Sequence, residues 1–483
     1  MVNNKKTLTL SIFEAGSYNA FYIATQGFIF TTLAIYFNSS PFFISIMFSF
    51  PIIAQMFQIF SSQITKMYGS RKRSLVINAF ISRSLFVVLP FLIYFEVKNP
   101  YILLIMIILF SLFGTFVGNT WTVLMKEVVP IERRGRYFSL RNIFSSITGM
   151  VMTFVYSKFL DSPNLKMGLL WVSIFMAVFS LLSAFLLMKH EFPEGGDKIP
   201  KVNISISKPF KDKSFKDYLI FIFIWNLAIE FSRPYFSYYE VGILNINPTY
   251  LGYMSILNSI IAIMVYLFFG TMADKFGSKN VLTLGIFIST FSPLMYFLMG
   301  LNNYKSVLFM NAILSAFAWS AINIAIFNLL LELSKEPSES YIAANALVGG
   351  IAAIIASLIG GSLGNYLKNI QINFLGDSYY GIQLIFIIGF IMRIIAVMFL
   401  SNVEAVQRPM KYKEVFSFEG VLSKRREINM PFEWFRRTKK VSKPINETMS
   451  DETKEITNSQ DVPQLEASSE TPKEDIGESI EKS

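Results

Sequence analysis

The chain has 483 residues, of which 53% are hydrophobic and only 16% are charged, with a net charge of +10. Soluble domains carry about 25% charged residues, so this composition indicates a protein that lies in lipid, and it argues against a nucleic-acid-binding module. The absence of cysteine and the single histidine exclude disulfides, thiol nucleophiles and metal sites built from these residues, and we expect no cofactor.

Twelve apolar runs, each close to the roughly 20 residues that cross a bilayer as a helix, predict an all-α membrane protein with twelve spans. The predicted spans are 11–37, 42–64, 75–95, 101–125, 138–160, 168–188, 218–243, 250–273, 281–301, 306–333, 341–367 and 381–401. We group them into an N-terminal six-helix half at 1–190 and a C-terminal six-helix half at 218–403. Residues 191–217, which are polar and contain Pro and Gly, are predicted to be a linker between the halves.

Two segments of different character follow the last span. Residues 404–443 are basic and aromatic, and we predict that they lie on anionic lipid headgroups; the alternative is a basic tail that only reinforces topology. Residues 444–483 are rich in Glu, Ser and Thr, which predicts disorder. Lys and Arg crowd the loops on the side of both termini, so we expect both termini in the cytoplasm. The composition is typical of a bacterial inner membrane protein.

A short loop between two apolar runs occurs twice, 208 residues apart. Residues 270–279 read G-T-M-A-D-K-F-G-S-K, and residues 62–71 read S-Q-I-T-K-M-Y-G-S-R, so that Gly69 falls where Gly277 stands. Gly277 permits backbone angles closed to other residues, and we expect Gly270 to let another helix approach closely. The two matched loops predict a chain made of two similar halves.

The loop resembles the signature G-x-x-x-D-K/R-x-G-x-K/R of the major facilitator superfamily, which lies between the second and third helices of each half. The second copy matches at Gly270, Asp274, Lys275, Gly277 and Lys279. The first copy has Gly69 and Arg71, but Lys66 stands in place of the acidic residue. The resemblance covers about 8–403. It implies a transporter in which the first, fourth, seventh and tenth helices line a central cavity. The spans contain no nucleophile–base or metal constellation, so we expect no enzyme.

The loop at 127–142 is basic, and in the family a basic loop at this place resembles part of an inner gate. We expect the gate charges to form pairs that close one face and break when it opens, each pair contributing little alone. The predicted members are Lys66, Arg71, Glu127, Glu132, Arg136 and Asp274, together with the signature-loop residues Gly69, Lys275, Gly277 and Lys279. The alternative is that these charges only fix topology.

The seventh span carries an ion pair that is unusual in lipid. Asn226, Glu230, Arg233 and Ser237 fall on one narrow face of a helix, and Glu230 and Arg233 are three residues apart, which allows them to pair. Pro234 is expected to bend the helix there. We predict that this face lines the substrate pathway; the alternative is a neutralised pair that only holds two helices together.

The first span repeats this pattern, with Glu14, Tyr18, Asn19, Tyr22 and Gln26 on one side. No basic residue within the span can pair with Glu14. Because a desolvated carboxylate without a partner favours its protonated form, we predict Glu14 as a proton carrier, with Glu230 as the second candidate. The alternative is that Glu14 pairs with a lysine near the N-terminus or with a loop arginine.

The fourth and tenth spans complete the four polar faces that the family resemblance places at the central cavity. The fourth contributes Ser111, Thr115, Gly118, Asn119 and Thr122, and the tenth contributes Ser315, Trp319 and Asn323. Arg83 in the third span and Arg393 in the twelfth are expected outside the cavity, as contacts between helices. Several glycines between Gly349 and Gly364 predict close packing of the eleventh span.

These features predict a secondary transporter that works by alternating access, with lipid, a small solute and possible protons as partners. No G-x-x-x-x-G-K-[ST] motif for ATP appears. The family's drug-antiporter and sugar-porter signatures are absent, and the polar faces fit a small amphipathic or zwitterionic organic solute. The alternatives are a proton-coupled exporter of drugs or lipophiles, and a non-transporting receptor or anchor that displays the C-terminal tail.

Overall fold

Long helices form almost all of the described chain. A computed structural model describes residues 4–130, 134–192, 207–335, 338–374 and 377–405. The helices are α1 Asn4–Tyr22, α2 Gly27–Tyr36, α3 Pro41–Gln55, α4 Ser61–Tyr68, α5 Arg71–Tyr94, α6 Pro100–Val128, α7 Arg134–Leu160, α8 Leu165–Met188, α9 Ser207–Lys211, α10 Lys213–Tyr238, α11 Pro248–Phe276, α12 Ser278–Phe297, α13 Tyr304–Leu333, α14 Ser338–Leu367 and α15 Gln383–Ser401. Glu132, residues 193–206 of the predicted linker, and almost all of the two segments predicted at 404–443 and 444–483 lie outside these ranges.

Eleven helical stretches of the described chain are long and apolar enough to cross a membrane. They correspond to the second to twelfth predicted spans, with α3 and α4 forming one span through a 3-10 turn at Met56–Phe60. A short antiparallel hairpin of β1 (Gln371–Phe374) and β2 (Asp377–Tyr380) connects the last two spans. We number the spans in chain order, so that α10 with the π turn Tyr239–Ile243 is the seventh.

The first predicted span is broken, which corrects the expectation of a continuous helix over 11–37. Helix α1 ends at Tyr22, a 3-10 turn covers Ile23–Thr25, and Gln26 is extended with φ −137° and ψ 161°. Gly27 then starts α2 with φ +54°, a conformation that favours glycine. The break lies near the middle of the span, and such discontinuous helices are common in transporters.

The seventh span has its break in helical geometry beyond the proline. Pro234 lies inside α10, and the α-helix continues four residues beyond it. The irregularity comes at the π turn Tyr239–Ile243. Single π turns within helices are frequent at functional sites.

Both signature-loop glycines adopt the backbone that the sequence predicts. Gly69 ends α4 with φ +70°, and Gly277 ends α11 with φ +88° and ψ 149°. The prediction for Gly270 is wrong, because a Cβ built on it would meet nothing within 4 Å. This glycine faces away from the helices that pack around α11, so it permits no close approach.

The eleventh span packs closely against both halves, as its glycines predict. A Cβ on Gly350 would meet Met56 at 2.0 Å, and one on Gly361 would meet Phe42 at 3.0 Å, both in the second span. On the other side, Tyr235 of α10 donates a 2.7 Å hydrogen bond to the carbonyl of Gly360. Helix α14 therefore lies in the seam between the halves.

The two sides of the bundle are distinguished by the helix ends that meet there. Lys6 pairs with Glu191 at 2.9 Å, so the start of the first span and the end of the sixth share one side, which we call the terminal side. On the opposite, distal side, Asp161 at the end of α7 accepts hydrogen bonds from Asn247 at 2.5 Å and Thr249 at 2.8 Å at the start of α11. These hydrogen bonds join the two halves on the distal side.

Replacing Gly277 by alanine should destabilise the protein by about 1–3 kcal/mol, because a side chain is strained in this backbone region. Thermal unfolding of the protein in detergent measures the change. Gly270→Ala is the matched control, and it should stabilise by about 0.5–1 kcal/mol, since it adds a methyl group to an open helix position. Equal unfolding temperatures for the two variants would contradict the assigned backbone.

Candidate substrate-binding site

The predicted ion pair of the seventh span forms at the seam between the halves. Arg233 Nη2 donates to Glu230 Oε2 at 2.8 Å, and it also donates to the carbonyl of Phe48 in the second span. Glu230 is fully buried, while the Arg233 side chain is 34% exposed. Their spacing on α10 places both groups on one face, and the arginine extends from the second half to the first.

A cavity of about 230 Å³ opens beside Arg233 within the second half. Four helices line it, namely α10, α12, α13 and α15. The lining residues are Ile229, Arg233, Phe236, Ser292, Tyr296, Asn311, Ser315, Trp319 and Arg393. The predicted residues Arg233, Ser315 and Trp319 are therefore brought together.

Arg393 makes contacts between helices, as the sequence predicts, and it also lines this cavity within the second half. Arg393 is 3% exposed, and its Nη1 donates a hydrogen bond to the carbonyl of Ser289 at 2.5 Å. Nη2 lies 3.5 Å from Ser232 Oγ, and the guanidinium carbon is 5.9 Å from the Phe236 ring centre. Helix α15 packs on α10 and α12, and this packing turns Arg393 inward.

A second, smaller cavity of about 20 Å³ lies on the other side of Arg233. It is lined by Thr25, Gln26, Met47, Phe48, Pro51, Ile107, Phe110, Ser111 and Arg233. The break in the first span thus brings the predicted residue Gln26 to the site. Arg233 lines both cavities, so it marks the centre of the candidate site.

Besides Glu230, seven other predicted pathway residues line neither of these two cavities. They are Tyr18, Asn19, Tyr22, Asn119, Asn226, Ser237 and Asn323. Asn19 donates to the carbonyl of Ser145 in α7 at 2.8 Å, and Asn119 donates to Ser61 Oγ at 2.8 Å. Asn226 donates to the Ile222 carbonyl of its own helix at 2.8 Å. These amides bond to groups of the helices themselves, which is the ordinary role of such side chains in membrane bundles.

Glu14 has partners, so the expectation of a lone carboxylate is wrong. Its two oxygens accept from Arg83 and Arg141 at 3.1 Å each, and Ser183 donates to Oε1 at 3.0 Å. These groups come from the third, fifth and sixth spans. Glu14 is 3% exposed and sits inside the first half. The prediction that Glu14 carries a proton assumed that it has no counter-ion, and this assumption is wrong.

The predicted gate residues form contacts within each half. Arg71 pairs with Glu127 at 2.7 Å, joining the third and fourth spans on the terminal side. Lys279 was expected in the gate, but its amine donates to the carbonyls of Ser401 and Val403 at 2.7 Å each. It therefore caps the last helix, where a cation interacts favourably with free carbonyl groups. Asp274, Lys275 and Arg136 are exposed.

A further ion pair on the terminal side was not predicted from the sequence. Lys335 pairs with Asp212 at 2.7 Å, and Tyr341 donates to the same carboxylate at 3.2 Å. The hydrogen bond from Lys335 lowers the pKa of Asp212, and the same bond raises the pKa of Lys335. This cluster joins the start of the seventh span to the end of the tenth and the start of the eleventh.

Sequence reasoning also missed Glu240, which lies in the π turn of the seventh span. It is buried and accepts a short hydrogen bond from Tyr296 Oη, and Tyr296 lines the larger cavity. No lysine or arginine of the described residues pairs with Glu240. The sequence signal that could have identified Glu240 is a single acidic residue within an apolar run.

The helices, the seam between the halves and the charged groups at its cavities define a membrane carrier with two six-helix halves. The chain belongs to the Major Facilitator Superfamily, whose family model matches residues 12–357 and 226–427. It is therefore a secondary transporter, as the signature loop predicts. No sequence among the curated proteins matches the chain.

Solved structures of similar fold support this assignment. The nucleoside transporter NupG is 15% identical, with 83% of this chain and 99% of that chain covered and a TM-score of 0.61. A D-xylose–proton symporter is 15% identical, with coverage of 83% and 98% and a TM-score of 0.62. A bacterial homologue of the iron transporter ferroportin in the inward-facing state is 11% identical, with coverage of 83% and 98% and a TM-score of 0.57. At these identities the likeness shows the fold alone.

Glu14→Gln should destabilise the protein by about 3–5 kcal/mol, because it leaves the buried guanidinium group of Arg83 and the partly buried one of Arg141 without their shared counter-ion. The unfolding temperature in detergent measures the loss. Lys6→Gln is the control, since it removes an exposed pair whose contribution is about 0–1 kcal/mol. A loss no greater than that of the control would show that the Glu14 cluster does not hold the first half together.

Proposed function

We propose that the protein moves a small organic solute across the cytoplasmic membrane by alternating access, with the solute bound at Arg233 between the halves. The observation that carries this proposal is that Arg233 lines the cavities of both halves and contacts the second span from the seventh. A group in this position makes different contacts when the halves rock, so a bound solute can favour one state over the other.

The arrangement of the halves fits a carrier open toward the terminal side. The distal side is held by Asp161 with Asn247 and Thr249, and by the contact of Gly252 with Ser157. Basic residues such as Arg71, Lys126 and Lys275 lie at the terminal side, which the positive-inside rule assigns to the cytoplasm, together with both termini. The site would then face the cytoplasm, and opening to the outside requires the distal contacts to separate.

Coupling to protons through a buried carboxylate is part of the proposal. Glu240 has no basic partner among the described residues, and its hydrogen bond to Tyr296 connects it to the larger cavity. Glu230 is paired with Arg233, so its charge is already balanced. Burial without a counter-ion favours the neutral carboxylic acid, and Glu240 therefore replaces Glu14 as the first proton carrier, with Glu230 as the second candidate.

A disulfide across the distal seam should stop transport, because alternating access requires this seam to open. A Cβ on Gly252 would lie 2.7 Å from Ser157 Cβ, which brings a cysteine pair within reach of the roughly 3.8 Å Cβ separation of a disulfide. The native chain has no cysteine, so Ser157→Cys/Gly252→Cys is the sole thiol pair. Uptake into proteoliposomes is measured by mass spectrometry on a mixture of small carboxylates, amides and amines.

Oxidation should abolish uptake, and reduction should restore it. The matched control is Gly285→Cys/Ala321→Cys, because a Cβ on Gly285 would lie 2.9 Å from Ala321 Cβ but both helices belong to the second half. Oxidation of this control should leave uptake unchanged. Undiminished uptake by the oxidised Ser157/Gly252 variant would contradict alternating access through this seam.

Glu240→Gln should remove the stimulation of transport by a pH gradient while retaining exchange of solute without a gradient. The neutral amide keeps the hydrogen bond with Tyr296 but cannot gain or lose a proton. Glu96→Gln, on an exposed distal loop, is the control. If Glu230→Gln uncouples transport and Glu240→Gln does not, the proton carrier is Glu230; if neither does, the driving force is not a proton carried by these groups.

A further inference from the structure

We propose that the larger cavity binds the carboxylate of an organic acid through Arg393, which makes the substrate an organic anion. This inference rests on the transport function proposed above and names the substrate class of that site. The guanidinium group of Arg393 is a buried cation that lines the cavity, and no carboxylate of the described residues lies within ion-pair distance of it.

The neighbours of Arg393 solvate its charge only in part. Nη1 has the Ser289 carbonyl, Nη2 has the distant hydroxyl of Ser232, and Nε has no hydrogen-bond partner among the described residues. An ionised group in a low-dielectric interior is costly unless it is paired and fully hydrogen-bonded. A carboxylate supplies both the acceptor that Nε lacks and the missing counter-ion, because it accepts two hydrogen bonds from one guanidinium group.

The first half shows how the same problem is solved internally. There, Arg83 of the third span faces Glu14 of the first, and Ser183 of the sixth span completes the cluster. In the second half, Arg393 of the twelfth span faces the ninth and seventh spans, which are the counterparts of the third and first. The group that the seventh span offers is the hydroxyl of Ser232, so the place of the carboxylate is left to a ligand.

The charge of the remaining residues agrees with a single negative charge on the solute. Arg233, the other cation at the cavity, is already neutralised by Glu230. The net charge at the site is therefore +1, and it comes from Arg393. A monocarboxylate balances it, whereas a cationic amine would add to the repulsion.

The other walls indicate an organic rather than an inorganic anion. The rings of Trp319 and Phe236 line the cavity of about 230 Å³ and provide apolar surface for a carbon skeleton. Asn311 Oδ1 is buried and has no hydrogen-bond partner among the described residues, so it can accept from a hydroxyl or amino group of the solute. Arg393 and Asn311 together select a small hydroxy acid with an apolar or aromatic body.

The test is the shift in unfolding temperature of the full-length protein in detergent with added solutes. The probes are phenylacetate and 3-phenyllactate, their uncharged amides, phenethylamine, and sodium chloride and sodium phosphate at matched ionic strength. The carboxylates should stabilise the protein in a saturable way. The amides should bind about tenfold or more weakly, since they lose the charge-assisted hydrogen bonds to Arg393.

Arg393→Gln should abolish the carboxylate response, while the unfolding temperature without ligand stays the same or rises because a buried unpaired charge is gone. Arg393→Lys, which keeps the charge but not the bidentate geometry, should retain part of the response. Arg73→Gln, at an exposed position on the terminal side, is the control and should respond like the native protein.

The inference would be overturned by equal stabilisation by amides or amine, by an unchanged carboxylate response in Arg393→Gln, or by no response to any carboxylate. Equal stabilisation by phosphate or chloride would also overturn it, by showing a site for inorganic anions. The disulfide experiment on the distal seam does not depend on these probes. If the carboxylates do not bind but the disulfide at the distal seam stops transport, the substrate class is wrong and the proposed transport function is retained.

Discussion

The cost of keeping charge in a low-dielectric interior is the constraint that organises this molecule. Most buried ionised groups contact several helices, whose polar groups balance the charge. Glu14 joins four spans of the first half through Arg83, Arg141 and Ser183. Glu230 and Arg233 do the same at the seam, where the arginine also contacts the second span. The places where this balance is incomplete, at Arg393 and Glu240, are next to the larger cavity.

The fold was predictable because its signals are local. Apolar runs report contact with lipid, and the glycines at positions 69 and 277 report backbone conformations that few other residues adopt. The broken first span was not predictable in the same way. Residues 23–36 are as apolar as a continuous helix would be, and hydropathy does not report whether the backbone is continuous. Only the extended Gln26 followed by Gly27 shows the break, and each residue is compatible with a helix when it is considered alone.

The site residues were likewise predictable only where the signal is local. Glu230 and Arg233 were paired correctly because helical spacing alone brings them together. The partners of Glu14 are 69 and 127 residues away, and the inward direction of Arg393 depends on how α15 packs on α10 and α12. Gln26 and Ser111 of the first and fourth spans line the smaller cavity, but Asn19 and Asn119 of the same spans do not, for a related reason. Periodicity identifies a face that is buried, but it does not distinguish a cavity from a neighbouring helix, which is what Asn19 and Asn119 contact.

The two halves therefore differ in a way that bears on mechanism. The first half balances its own buried charge and is held together by the Glu14 cluster, so it can move as one body. The second half carries an arginine whose balance must come from outside, next to the arginine that reaches across the seam. A ligand that neutralises Arg393 changes the electrostatics beside Arg233, whose hydrogen bond to Phe48 joins the second half to the first. Differential interaction of this kind between two states is what a solute needs in order to shift a carrier from one side of the membrane to the other.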